Sequence, residues 1–97
     1  MLSLSFLFSC SESARINKEL NQLALQDKMA RANQSIDLSG DDERLQRVKE
    51  IEESGGLRHT LDFYNAALIY QHGKHSIDYL KAHKLSKRAA QLDANLR

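Results

Sequence analysis

"AALIYQHGKHSIDYLKAHKLSKRAAQL", residues 66–92, decides the fold, because an apolar helix end, a Gln-His-Gly break and a second helix follow one another directly. Just upstream, Thr60 predicts an N-cap with Asp62 in the first turn, so "LDFYNAALIYQ" belongs to a core helix over 60–72. Gly73 reads as the C-cap of that helix. Ser76 or His75 then opens a helix over 76–94, with Asp78 near the positive end of its dipole. Along it Ala82, Leu85, Ala89, Leu92 and Leu96 step by three and four, while Lys81, Lys84 and Arg88 mark a basic stripe on another face. Small alanines on both helices permit close packing, which predicts an antiparallel hairpin of about 35 residues.

Two further helices precede the hairpin. Residues 13–33, "SARINKELNQLALQDKMARAN", carry Ile16, Leu20, Leu23, Asp27 and Ala30 at helical intervals, with Leu25 and Met29 on a flanking stripe. "QSIDLSGDDER" then reads as a loop leading to an N-cap at Ser39 or Asp41. The helix over 41–53 presents only Leu45, Val48 and Ile51 as a narrow apolar seam, and "SGG" at 54–56 ends it. The fold class predicted is all-α, a four-helix array with a repeat-like C-terminal antiparallel helical hairpin. Phe63, Tyr64, Tyr70 and Tyr79 lie at helical spacing and read as core.

Composition agrees with this reading. Ninety-seven residues make one small domain, and the absence of Pro and Trp with only four Gly favours uninterrupted helices. The net charge is +1, yet residues 11–56 hold ten acids and seven bases whereas residues 57–97 hold three acids and seven bases. Such halves are expected to attract each other across a helix interface.

The N-terminus reads differently. "MLSLSFLFSCSES" is an apolar run, Leu2 to Phe8, then Ser9 and Cys10, after which the chain turns polar. One cysteine cannot form an internal disulfide. Leu7-Phe8-Ser9-Cys10 resembles the lipobox of bacterial lipoproteins, a resemblance that implies cleavage before Cys10 and lipid attachment to its thiol. Phe8 departs from the commonest pattern, and no Lys or Arg precedes Cys10 as a positive n-region would require. The domain organisation expected is therefore a lipoprotein signal-like segment, 1–10, ahead of a single helical domain, 11–97.

The hairpin is similar to a tetratricopeptide or Sel1-like unit through Ala66, Ala67, Tyr70 and Gly73, then Asp78, Tyr79, Ala82, Ala89, Ala90 and Leu92. Residues 41–92 more closely resemble a bacterial, lipoprotein-associated helical family of unknown function. Its members carry "D-x-x-R-x-x-x-V", a glycine break, "D-[YF]-x-x-A-A-[LM]-I-x-Q-H-G" and "D-Y-x-x-A-H-x-L". The matching positions are Arg44, Val48, Gly56, Asp62, Phe63, Ala66, Ala67, Ile69, Gln71, His72, Gly73, Asp78, Tyr79, Ala82, His83 and Leu85. Members continue into another helical segment with Trp-Leu and Asp-Arg, which this chain lacks. The resemblance implies a surface for a partner to fill, and it implies no activity.

The residues that carry chemistry form a candidate functional cluster: Gln71, His72, His75, His83, Asp62 and Asp78. Imidazole and carboxylate suit zinc, with His59, His83 or Asp78 as further ligands to His72 and His75, but "HGKH" across a helix break is not a zinc motif, so no metal and no cofactor is expected. His72 with Asp62 or Asp78 would make an acid-base pair. No nucleophile elbow or phosphate loop accompanies it, and no catalytic residue is assigned. The structural expectation is that Gln71 and His72 serve the last carbonyls of their helix, and that His83 meets Gln71 or Tyr64 in a buried polar contact. Asp41, Asp42 and Glu43 read as helix-start charges, since the rest of a calcium loop is absent.

The functional expectation is a bacterial envelope module, lipid-anchored at Cys10, that binds a protein partner or a second copy and no nucleic acid. The alternatives are a small metal-dependent or acid-base hydrolase centred on His72, and a soluble cytoplasmic helical protein.

Overall fold

The computed structural model describes residues 15–33 and 40–96. The signal-like segment with Cys10, and the cap candidate Ser39, lie outside the described residues. The chain forms α1 (Lys18–Ala32), α2 (Gly40–Glu53), α3 (Thr60–Tyr70) and α4 (Ser76–Leu96), with no strand among the described residues. The all-α fold expected from periodicity is the fold observed.

Helix ends are set by specific donors and acceptors. α1 starts later than the apolar pattern suggests, because Asn17 takes extended geometry and its side chain accepts from the Leu20 N–H at 3.0 Å. α2 ends as expected at "SGG", where Gly55 adopts φ +79°, a left-handed conformation that costs glycine little. α3 is capped by His59 and not by Thr60. The His59 ring Nδ1 accepts from Leu61 N at 3.0 Å while the Asp62 carboxylate accepts from His59 N at 3.0 Å, so each end of the first turn satisfies the other. α4 runs two residues beyond the expected boundary.

The layers follow from which faces are apolar. α3, the most apolar helix, is central: it packs against α1 and α2 on one side and α4 on the other. The seam Leu45, Val48 and Ile51 is buried against it, as are Leu20 and Ala24 of α1. Each fully buried Leu, Ile or Val contributes about 1.5–3 kcal/mol by leaving water. Ala66 and Ala67 on α3 and Ala82 and Ala89 on α4 are buried, and their small size lets the two backbones approach. α4 packs on α3 alone, tied to α2 only through side chains: Lys81 Nζ lies 2.9 Å from Glu52, and Lys49 Nζ 3.6 Å from Asp78. With Lys74–Asp42 at 3.2 Å, these pairs join the acidic and basic halves of the sequence. Tyr70 is buried, and its hydroxyl donates to Glu52 at 2.6 Å. Tyr64 and Tyr79, expected in the core, are about half exposed, because neither falls on the strip of its helix that meets a neighbour.

Candidate functional site

The turn between α3 and α4 brings His72 onto α1. Its Nδ1 lies 2.8 Å from Asp27 Oδ2 and 3.1 Å from Oδ1, and the hydrogen bond is directed at Oδ1, so that Oδ2 has no hydrogen-bond partner among the described residues. Asp27 is only 1% exposed. It stands in the apolar stripe of α1, and a carboxylate there requires partners. Arg31, one turn on, donates to Asp27 at 2.9 Å and to Asp41 at 2.7 Å, and Arg44 donates to Asp41 at 2.6 Å. The result is a continuous chain from His72 through Asp27, Arg31 and Asp41 to Arg44, linking the hairpin turn to α1 and the start of α2. Hydrogen bonding from Arg31, reinforced by Arg44, outweighs burial and holds the Asp41 carboxyl down at about 2. The same bond pushes the Arg31 guanidinium up. Burial, then the Glu52 carboxylate, raises the Tyr70 phenol above its usual range.

The expected partners of His72 are elsewhere. Asp62 sits at the opposite end of α3, where its carboxylate accepts from the backbone N–H groups of Asn17, Arg58 and His59 at 2.8, 3.1 and 3.0 Å. It pins the entry of α1 to the start of α3. Asp78 is buried beneath the turn, accepting from His75 N at 3.3 Å. His75 and Asp78 do share a cleft of about 350 Å³ with Asp42, Leu45, Gln46, Lys49 and Lys74. His83 and Gln71 are exposed, so the buried contact expected among His83, Gln71 and Tyr64 does not form. One residue past the buried Ala82, His83 is turned about 100° away from the α3 contact. The sequence-predicted cluster is thus split: His75 with Asp78, Asp62 alone at the far end, His72 on Asp27. Among the described residues no group of three or more His, Cys, Asp or Glu is placed to hold a metal ion. No helix among them is long and apolar enough to cross a membrane.

A second feature was not expected. On the α3–α4 hairpin, His59, Thr60, Leu61 and Tyr64 face Ser86, Ala89, Ala90 and Asp93 across an open groove of about 630 Å³. Tyr64, which is 50% exposed, lines it together with two alanines, Ala89 buried and Ala90 exposed. The signal in the sequence is the pairing of Tyr64 with the small residues Ser86, Ala89 and Ala90, but only packing reveals that no other described helix covers them.

A scan against protein-family models, a search of curated proteins and a search of solved structures each find no match to this chain.

Proposed function

We propose that this chain is a small helical binding module, held at the bacterial cell envelope by lipid on Cys10, which docks a protein partner or a second copy through the groove of its hairpin. The observation that carries the reading is that groove: a half-exposed tyrosine, a leucine and two alanines line it beside the polar His59, Thr60, Ser86 and Asp93, a mix of apolar and polar contact that protein-binding surfaces share. The lipobox-like Leu7-Phe8-Ser9-Cys10 and the resemblance of residues 41–92 to a lipoprotein-associated family supply the envelope address. The test is a photo-crosslinking residue placed in the native host at Tyr64, in the groove, and separately at Lys84, on the opposite side of α4 from the groove residues Ser86, Ala89 and Asp93. A discrete adduct from Tyr64 alone supports docking there; no adduct, or the same adducts from both positions, overturns it. Intact mass of the protein from the membrane fraction reads the anchor separately.

One observation favours a second reading, an acid-base hydrolase centred on His72. A buried carboxylate behind Nδ1 fixes the ring and favours a proton on that nitrogen, the arrangement that prepares Nε2 as a general base. Ester and amide hydrolysis rates that are equal for wild type and His72→Gln sink that reading.

A further inference from the structure

Residues 57–97 carry seven bases and three acids, and the structure gathers part of that positive charge on one face of α4. Asp62 and Asp78 are buried and consumed by backbone N–H groups. Lys74 and Lys81 are paired with Asp42 and Glu52. No ion pair joins Lys84, Lys87 or Arg88 to another described residue. These three share one face of α4 with Ile77 and Leu80. At 3.6 residues per turn the five fall within an arc of about 100°, roughly opposite the buried strip of Asp78, Ala82, Leu85 and Ala89. Ile77 is 65% and Leu80 47% exposed, and no acid of α4 lies on this face, while Glu52 and Glu53 of α2 share a cleft with Ile77. No other described helix covers it, because α4 packs on α3 alone among them.

We propose that this outward face of α4 rests on an anionic lipid surface, with Ile77 and Leu80 entering the interface and Lys84, Lys87 and Arg88 meeting phosphate headgroups. Charge complementarity selects an anionic partner, and the two large aliphatic side chains at the leading end of the same face select a bilayer over nucleic acid, whose phosphates offer them no apolar phase. The inference rests on the envelope reading for the presence of a bilayer.

The experiment uses the full chain with Cys10→Ser, which removes the anchor from every arm, in flotation with vesicles of phosphatidylcholine alone or mixed with phosphatidylglycerol. Binding to the mixed vesicles only, weakened by salt, is expected. Each basic residue near an anionic surface is worth roughly fivefold, so K84Q/K87Q/R88Q lowers partitioning about 100-fold. Gln is as good a helix former as Lys or Arg, and unchanged circular dichroism checks the fold. Ile77→Ser with Leu80→Ser weakens binding to the same vesicles. Equal binding to both vesicle types, or an unaffected triple variant, assigns the interaction to another segment and overturns the proposal. Binding to duplex DNA but not to vesicles overturns it in favour of nucleic acid. Since Cys10 is absent throughout, failure here leaves lipidation intact as a question for the native mass, and the reverse also holds.

Discussion

His72 and Asp27, forty-five positions apart, are joined at 2.8 Å, and this pair ties the turn of the C-terminal hairpin to the first helix. Asp27 is buried, so removing its partner leaves a carboxylate supported by Arg31 alone. His72→Ala is expected to cost about 1–3 kcal/mol of stability in urea unfolding. A double-mutant cycle with Asp27→Ala should return a coupling of about 0.5–3 kcal/mol, whereas additive effects would show that the contact does not hold the turn.

Asp62 is expected to matter more than an ordinary helix cap. Its carboxylate accepts three backbone N–H groups, two from the start of α3 and one from Asn17. Asp62→Ala strands all three and is expected to cost about 2–4 kcal/mol, against about 1 kcal/mol for a typical cap. Asp62→Asn keeps an acceptor and should fall between. Because Asn17 N–H is one of the three, protection of the α1 amides against hydrogen exchange should fall together with that of α3. Unchanged protection in α1 would confine Asp62 to its own helix.

Gly73 and Gly55 make a controlled contrast between space and conformation. A Cβ on Gly73 would stand 2.5 Å from Asp78 Cβ and 2.6 Å from its Oδ2, although Gly73 has no positive φ. A Cβ on Gly55 meets nothing within 4 Å, but its φ is +79°. Gly73→Ala must displace a buried carboxylate and is expected to cost about 1–3 kcal/mol. Gly55→Ala should cost about 1 kcal/mol from backbone strain. If Gly73→Ala proves the milder of the two, Asp78 is free to move and the turn is looser than its packing implies.

These residues mark what the sequence could and could not reveal. The helices were legible because apolar residues recur at three and four, and Leu45, Val48 and Ile51 are buried as that seam requires. Gly73 reads in the sequence as the C-cap of its helix, whereas α3 is capped at Gln71 and what Gly73 provides is room for the Asp78 side chain. His59 was overlooked as a cap because histidine is not among the residues that usually cap helices, and its role depends on which ring nitrogen faces Leu61. Asp27 reads as part of an apolar stripe because one of its partners, Arg31, lies a turn further along the same helix and the other, His72, in a turn half the chain away. The candidate site is least legible: the groove beside Tyr64 depends on no other described helix packing against that flank of α4.

Asp41 sets an acid limit on stability. Its carboxyl is held at about 2 in the folded chain by Arg31 first and Arg44 second, against about 3.9 for a free aspartate. A depressed folded value means the unfolded chain takes up the proton first, so the stabilisation is complete above about pH 4 to 5 and is lost as pH falls toward 2. The Asp41 side chain is 13% exposed, and after allowance for solvent screening its contribution is about 1–2 kcal/mol. Asp41→Asn should therefore lower stability by about that amount at pH 7, while the gap between wild type and variant closes as the solution is taken down to about pH 2. Denaturant midpoints measured across that range check it. A gap that stays constant at acid pH would show that the variant acts through the packing of Arg31 and Arg44, not through the charge on Asp41.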